Sequence, residues 1–198
     1  MIIKKTLSLA ASIISLLILQ FLFLSNSISQ EENSKYYSND NGVLSLMYHR
    51  FNENKYPSTN IRMDVFDKQM LIIKELNYKF YNPKLFLNEF NKPKKEKKIL
   101  ITIDDGFKSF YTEAWPYLKK NKIPFILFIS TEPIGKNGYM NWSEIKEIEN
   151  SEFGFIGHHS HTHEYLIDFN YTEFVKDIET ASEILKKNLG YNPEIFSY

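Results

Sequence analysis

Two adjacent carboxylates stand directly after a short apolar segment near the middle of the chain. The segment Lys98–Ile103 is typical of a buried strand and is followed by Asp104, Asp105 and Gly106. In parallel α/β folds, ligands bind at the C-terminal edge of the strands, which is where these side chains would lie. Adjacent carboxylates in a site of low dielectric repel each other, so one of them needs a cation or a proton. A metal would meet this need with one Asp as its ligand and the other free to take a proton from water. The alternative is an ordinary Asp-Gly turn whose Asp caps the next helix.

A cluster of histidines follows a later apolar segment. Four of the five histidines lie within residues 158–163, after the segment Phe153–Gly157. In an extended chain His159, His161 and His163 would share one face, whereas in a helical turn only His159 and His163 would do so. A third possibility is a solvated loop. Because neutral imidazole is the commonest metal ligand in proteins, the cluster favours a site for a divalent metal.

The two clusters together suggest hydrolytic chemistry. The chain has no cysteine, so any metal must be held by His, Asp or Glu. Three protein ligands with one open position for water is the pattern of catalytic zinc sites. Such a metal lowers the pKa of its bound water to about 7, and a nearby carboxylate can act as the base. This chemistry hydrolyses amides or esters.

Alternating strands and helices would bring the two clusters to one edge of a sheet. Continuous apolar segments predict buried strands, and amphipathic segments predict helices. Strands are predicted at Val43–Tyr48, Lys98–Ile103, Phe125–Ser130 and Phe153–Gly157, with a further strand beginning at Ile195. Helices are predicted at Val65–Leu76 with Asp64 as N-cap, from Asn82-Pro83 onward, and at Ser109–Lys120, Trp142–Asn150 and Tyr171–Leu189. This alternation implies parallel strands in an α/β sheet or barrel.

The first residues have the pattern of an export signal. Lys4 and Lys5 precede the apolar run Leu7–Leu24, which contains no charged residue. The run predicts a cleaved signal peptide or, because it could span a bilayer, an uncleaved membrane anchor. The protein is therefore expected in the periplasm, at the cell surface or outside the cell. The predicted divisions of the chain are a signal peptide or anchor at 1–29, a polar linker at 30–42 and the working domain at 43–198.

The overall composition excludes some classes of protein. A hydrophobic content of 43% and a charged content of 24% are ordinary for a globular chain, so disorder throughout is excluded. Lys and Arg together number 24, as do Asp and Glu, which gives no case for a nucleic-acid partner. No protein partner is predicted, and contact with a membrane is expected only through the N-terminal segment if it is uncleaved.

Two segments resemble motifs of the polysaccharide deacetylases with a NodB homology domain, carbohydrate esterase family four. Thr102–Gly106 resembles the motif T-F-D-D-G, and His159–His163 matches the motif H-[ST]-x-x-H. Leu46–Arg50 is similar to the opening strand of the exopolysaccharide-deacetylase branch. The resemblance covers residues 43–198. Either motif alone is moderately specific, whereas both in this order on successive βα units are a strong indication.

The resemblance implies a fold, a site and a reaction. The implied fold is α/β, a distorted, incomplete TIM-like (β/α) barrel of the NodB type preceded by an N-terminal apolar helix. The implied metal ligands are Asp105, His159 and His163, with Asp104 as the general base, and this selects the i, i+4 pair of histidines. The implied metal is zinc, with cobalt or nickel as alternatives. The implied reaction is attack of metal-bound water on an N-acetyl or O-acetyl group of an acetylated polysaccharide.

The chain departs from the family pattern at its end. Phe196-Ser197-Tyr198 resembles the first residues of a third motif, F-x-Y-P-[YF]-G, and the sequence stops there. The domain is therefore expected to be truncated at its C-terminus, to lack the family's general-acid His and to be inactive alone. Two alternatives stay open: a different barrel metal-amidohydrolase that uses an H-x-H pair including His161, and a non-catalytic carbohydrate-binding or scaffold protein.

Overall fold

The computed structural model describes residues 43–85 and 96–198, which lie in one compact unit. The predicted signal or anchor at 1–29 and the predicted linker at 30–42 lie outside these residues. Within the described ranges, no helix combines the length and the apolar character needed to cross a bilayer.

A parallel five-stranded sheet forms the centre of the fold. Its main order is β1-β5-β6-β7, with β4 paired to the start of β5, and every pairing is parallel. Within the described ranges, the short strands β2 and β3 form a separate parallel pair. The strands are β1 (Val43–Tyr48), β2 (Arg50–Phe51), β3 (Asn60–Ile61), β4 (Lys79–Phe80), β5 (Lys98–Ile103), β6 (Phe125–Ile129) and β7 (Gly154–His158). The parallel α/β architecture predicted from the alternating pattern is thus confirmed.

Helices connect successive strands. The α-helices are α1 (Met63–Glu75), α2 (Trp115–Asn121), α3 (Trp142–Glu149) and α4 (Tyr171–Leu189). Shorter helical turns are 3-10 at Pro83–Leu85 and Leu166–Asp168, and a π-helix runs from Phe110 to Ala114. The predicted helix from Asn82-Pro83 is a 3-10 turn as far as Leu85, and its continuation falls on residues outside the described part of the chain.

Two local predictions differ from the structure, and three short strands were not predicted. The N-cap of α1 is Arg62, and Asp64 lies inside the first turn, where its carboxylate pairs with the Arg62 guanidinium instead of capping the helix. The helix predicted over 109–120 is divided into a π-helix and α2, because Pro116 in the first turn of α2 cannot donate a backbone hydrogen bond. The strands β2, β3 and β4, of two residues each, were not predicted from the sequence because they are too short to show a hydropathy period.

The strands β5 and β6 are buried along both faces, which is why they are continuous apolar runs. One face carries Ile101, Ile103, Phe125 and Leu127 into the main core beneath the helices. The other face contributes to a smaller cluster on the opposite side of the sheet. This packing on both faces fixes the ends of β5 and β6, and with them the loops that follow.

The parallel pairing of the sheet continues beyond β7 to the segment around Phe196. His158 N–H donates to the Ile195 carbonyl, and Ser197 N–H donates to the His158 carbonyl, so a parallel bridge joins His158 to Phe196. The chain near Ile195 therefore begins to pair as the sequence predicted. Among the described residues the sheet is open and not closed into a complete barrel, in agreement with the incomplete barrel predicted.

Candidate metal centre

The carboxylates of Asp104 and Asp105 are presented by a sharp turn at the end of β5. Asp104 N–H donates to the Tyr48 carbonyl at 2.9 Å, which extends the pairing of β5 with β1. Asp105 and Gly106 then both take positive φ angles, of 76° and 78°, which turns the chain away from the sheet. A Cβ at Gly106 would lie 3.1 Å from the Ile134 side chain, so a glycine suits this position both sterically and conformationally. Both carboxylates are buried, with Asp104 2% and Asp105 8% exposed.

The histidine cluster follows β7 as an irregular loop. Ser160 and His163 adopt left-handed φ angles of 64° and 61°. His163 N–H donates to Ser160 Oγ at 3.2 Å, which closes the loop on itself. The segment is therefore neither the extended strand nor the helical turn considered from the sequence, yet it brings the rings of His159 and His163 to 4.9 Å between centroids.

The buried ring of His159 has a defined orientation. Its Nδ1 lies 2.8 Å from the backbone carbonyl oxygen of Ser197. Because a carbonyl oxygen only accepts hydrogen bonds, Nδ1 is the donor in this contact, which leaves Nε2 as the ring nitrogen that can face a metal. That Nε2 atom points at Asp105. A backbone carbonyl that orients a histidine in this way is typical of metal ligands.

Asp105, His159 and His163 converge on one point. The Oδ1 atom of Asp105 lies 3.2 Å from His159 Nε2 and 2.8 Å from His163 Nε2, and the potential ligand atoms all lie within 4.8 Å of one another. This Oδ1 atom is buried and has no aligned hydrogen-bond partner. One carboxylate oxygen and two imidazole nitrogens therefore meet at short range, an arrangement that a shared cation would stabilise. The donor set of two imidazoles and one carboxylate fits a divalent transition metal.

The pKa values of the neighbouring Asp104 and Asp105 carboxyl groups are shifted in opposite directions. Burial raises the pKa of Asp104 above its usual value, and the opposing effect of His159 and His49 is smaller. Burial also acts to raise the pKa of Asp105, but the contacts with the His159 and His163 rings outweigh it, so that pKa lies well below its usual range. Asp105 correspondingly raises the pKa of His163.

Asp104 lies beside the group without joining it. Its Oδ2 lies at 3.5 Å from the Ser197 hydroxyl, which can donate to it, and its Oδ1 is buried and has no hydrogen-bond partner among the described residues. Asp104 is therefore a carboxylate with an unused acceptor next to the three converging ligand atoms.

The remaining histidines of the cluster make other contacts. His158 Nδ1 accepts from the Ser160 N–H at 3.1 Å, and its Nε2 lies 3.2 Å from Ser182 Oγ. His161 Nδ1 lies 2.8 Å from Thr131 Oγ1. Neither histidine belongs to the convergent group, so the H-x-H pair considered from the sequence is not assembled.

Two contributors to this region were not identified from the sequence. Ser197 contacts both His159 and Asp104, through its carbonyl and its hydroxyl. Asp177 is a buried acid on α4 whose carboxylate accepts hydrogen bonds from the backbone N–H groups of His161 and Thr162. A signal for Asp177 exists in the sequence, because it lies four residues before Ala181 and eight before Leu185, on the buried stripe of an amphipathic helix.

A cavity of about 760 Å³ opens beside His159 and His163. Part of its wall is apolar and is formed by Tyr165, by Leu166 and Ile167 of the 3-10 turn, and by Phe174 of α4. An aromatic and aliphatic wall next to polar groups is typical of small-molecule and carbohydrate sites.

The chain is similar to known proteins in sequence and in fold. The model of the polysaccharide deacetylase family matches residues 91–198. The poly-beta-1,6-N-acetyl-D-glucosamine N-deacetylase of Staphylococcus epidermidis is 26% identical over 201 residues, covering 87% of this chain and 70% of that protein. The enzyme of the same name from Staphylococcus aureus is 26% identical over 187 residues, covering 80% of this chain and 64% of that protein. The solved structure of IcaB from Ammonifex degensii has a TM-score of 0.69 and 26% identity, covering 80% of this chain and 74% of that one.

The chain belongs to the polysaccharide deacetylase family. The family resemblance predicted from the two motifs is thereby confirmed, as is the class of enzyme that it implies, a hydrolase of carbon–nitrogen bonds other than peptide bonds that removes acetyl groups from polysaccharides. The family is metal-dependent, and the Asp-His-His group in this chain is a possible site for that metal.

Proposed function

We propose that this protein removes N-acetyl groups from an exported polysaccharide of N-acetylglucosamine. In this proposal Asp105, His159 and His163 hold a divalent metal, and Asp104 is the general base. The observation that carries the proposal is the convergence of the three ligand atoms within 4.8 Å, with the unpartnered carboxylate oxygen of Asp104 beside them.

The donor set favours zinc over the alternatives of cobalt and nickel. Zinc commonly takes two or three imidazoles and a carboxylate and leaves one position open in hydrolases. The chemistry that such a metal supplies when bound is activation of water and stabilisation of negative charge on the acetyl oxygen. The chain contributes the orientation of its ligands, since the Ser197 carbonyl keeps the His159 Nε2 lone pair directed at the site.

The environment of Asp104 suits a proton acceptor. Burial raises its pKa, which brings a carboxylate closer to the range in which it can accept a proton from water and later release it. The Ser197 hydroxyl near Oδ2 leaves Oδ1 free to face the reacting water. Asp105, whose pKa is lowered by its imidazole neighbours, is suited to remain an anionic ligand.

The substrate is proposed from the relatives and the cavity. The Staphylococcus relatives are named as N-deacetylases of poly-beta-1,6-N-acetyl-D-glucosamine, and the same polymer class is proposed for this chain. The wall formed by Tyr165, Leu166 and Phe174 offers apolar surface on which sugar rings can pack. An exported location fits such a substrate, with residues 1–29 as signal peptide or membrane anchor, 30–42 as linker and 43–198 as the enzymatic domain.

Acetate release tests this function directly. The full-length protein is incubated with β-1,6-linked N-acetylglucosamine oligomers and zinc, and acetate and new free amines are measured by mass spectrometry. Asp104→Asn is expected to lower the rate by roughly 10²- to 10⁴-fold while bound metal remains, because only the proton acceptor is removed. Asp64→Asn, the same change at an exposed acid on α1, serves as the matched control. Activity of Asp104→Asn within tenfold of wild type, or activity unaffected by a chelator, would contradict the proposal.

A further inference from the structure

Two consecutive backbone N–H groups of the loop that carries His163 donate hydrogen bonds to one buried residue on α4. The His161 N–H donates to Asp177 Oδ1 at 2.8 Å, and the Thr162 N–H donates to Asp177 Oδ2 at 3.0 Å. The Thr162 hydroxyl donates to the same Oδ2 at 2.8 Å. One carboxylate therefore satisfies two consecutive backbone donors directly before His163.

Helix packing fixes the position of this carboxylate. Asp177 is 6% exposed and shares the buried stripe of α4 with Ala181 and Leu185. The start of α4 is held by a capping box between Asn170 and Glu173. A charged side chain in a buried stripe is costly unless its hydrogen bonds are made, and here the loop supplies three donors to it.

The opposite side of the loop is held by the residues that follow β6. Ser130 Oγ donates to the His159 carbonyl at 2.7 Å, and Glu132 N–H donates to the His161 carbonyl at 3.0 Å. These contacts satisfy carbonyl groups, whereas the N–H groups at 161 and 162 are directed to α4. The loop is thus hydrogen-bonded on both sides. The residues after β6 bind its carbonyl groups, and Asp177 accepts from its N–H groups.

The position of the His163 ring depends on the contacts of the loop with Asp177 more than the position of the His159 ring does. His159 is buried and its ring is held by the Ser197 carbonyl, whereas the His163 side chain is 51% exposed. The left-handed conformations of Ser160 and His163 are unfavourable for residues with a Cβ and persist only where the surroundings impose them.

We infer that Asp177 is a positioning residue of the metal centre, which holds the 160–163 loop in the conformation that directs His163 at Asp105. The inference rests on the proposed function in taking His163 as a metal ligand. Asp177 itself lies on α4 and contacts the loop, not the ligand atoms.

The test compares Asp177→Asn with Glu179→Gln in the full-length protein. Both changes replace a carboxylate by an amide on α4, but Glu179 is exposed. In the Asp177→Asn variant the new amide offers one acceptor oxygen where the carboxylate offered two, and its NH₂ group faces a loop donor. Zinc affinity is measured by calorimetry, exchange of the amide protons of residues 161 and 162 by NMR on metal-free protein, and global stability by thermal unfolding.

Asp177→Asn is expected to weaken zinc binding by roughly 10- to 100-fold, as for other groups that orient metal ligands. It is also expected to speed amide exchange at 161 and 162 at least tenfold, while Glu179→Gln changes neither quantity. Zinc affinity within twofold of wild type, or unchanged exchange at both amides, would overturn the inference. If Asp177→Asn does not fold, Thr162→Val removes the hydroxyl contact to Asp177, together with a longer one of 3.4 Å from the Glu164 N–H. This variant should still weaken zinc binding severalfold, and unchanged affinity there would equally overturn the inference.

The two proposals fail in different ways. Absence of zinc binding by the wild-type protein contradicts the proposed metal site. The exchange rates at residues 161 and 162 still decide whether Asp177 holds the loop, because they are measured without metal.

Discussion

Asp104 and Asp105 are consecutive residues whose carboxyl groups have pKa values shifted in opposite directions. Burial raises the pKa of Asp104, whereas the rings of His159 and His163 bring the pKa of Asp105 well below its usual range. The turn after β5, in which Asp105 adopts a positive φ, separates the two side chains and directs only Asp105 at the histidines. Two groups of the same chemistry are thereby divided into a candidate proton acceptor and a candidate ligand.

The aromatic wall of the cavity should contribute to binding of the polymer. Tyr165 lies on this wall and is largely exposed. Tyr165→Ala is expected to raise KM for β-1,6-linked oligomers by roughly 2- to 10-fold with little change in kcat, since it removes packing against a sugar ring and no reacting group. Steady-state kinetics on the full-length protein measure this.

Tyr171→Ala is the control for this prediction. Tyr171 is also an exposed tyrosine, on the first turn of α4, but it does not line the cavity. Equal changes of KM in both variants would show that the wall has no special part in binding.

Gly157 is required by the packing between β6 and β7. A Cβ at this position would overlap the Phe128 ring and approach Ile126 Cγ2 to 3.1 Å. Gly157→Ala is expected to destabilise the protein by about 1–3 kcal/mol and to weaken metal binding, because the overlap displaces the strand that leads to His159. Urea unfolding and zinc calorimetry measure the two effects.

Relief of the overlap provides the internal control. The double variant Gly157→Ala, Phe128→Leu should recover a substantial part of both losses, because the smaller side chain vacates the space of the ring. Strictly additive losses in the double variant would show that the overlap is not the cause.

Glu147 should give an acid-dependent contribution to stability. Hydrogen bonds from Tyr111, Trp115 and Lys119 lower its pKa to about 2. A carboxyl group with a lowered pKa stabilises the folded state above its unfolded pKa of about 4.3, and this contribution is lost as pH falls toward 2. The difference in Tm between wild type and Glu147→Gln should therefore be positive near about pH 7, decrease as the pH falls below about 4, and approach zero only below about pH 2.

Glu152→Gln controls for general effects of charge in this comparison. Glu152 is exposed in the turn after α3. Its Tm difference from wild type should be small at both pH values, in line with the small effect of isolated surface charges. A constant Tm difference for Glu147→Gln across the acid range would contradict the lowered pKa.

The centre of the sheet could be predicted from the sequence because β5 and β6 are buried on both faces, and β1 could be predicted from its apolar run although Leu44 and Met47 are exposed. The bounds of β1 and β5 agree with the predicted strands, and α4 agrees over its whole length, with Gly190 in the left-handed conformation at its C-cap. Two-residue strands show no hydropathy period, so pattern analysis could not find them. Pro116, by contrast, is visible in the sequence and lies where the predicted helix is divided.

The site was only partly accessible from the sequence. The segments around Asp104 and His159 identify the clusters, but spacing alone left open which histidines converge. The structure brings His159 and His163 together through left-handed residues in an irregular loop, which no regular period describes. The contribution of Asp177 comes from a tertiary contact between α4 and this loop, and in the sequence it is visible only as an acid in an apolar stripe.

Metal titration tests the central claim most directly. Calorimetry with zinc on the full-length protein should give one tightly bound ion per chain for wild type and for His161→Ala, because His161 contacts Thr131 and not the convergent group. Asp105→Asn and His163→Ala should each weaken binding by more than roughly 100-fold, beyond the effect of a residue that only orients a ligand. Tight binding retained by Asp105→Asn, or lost in His161→Ala alone, would contradict the Asp105, His159 and His163 metal centre.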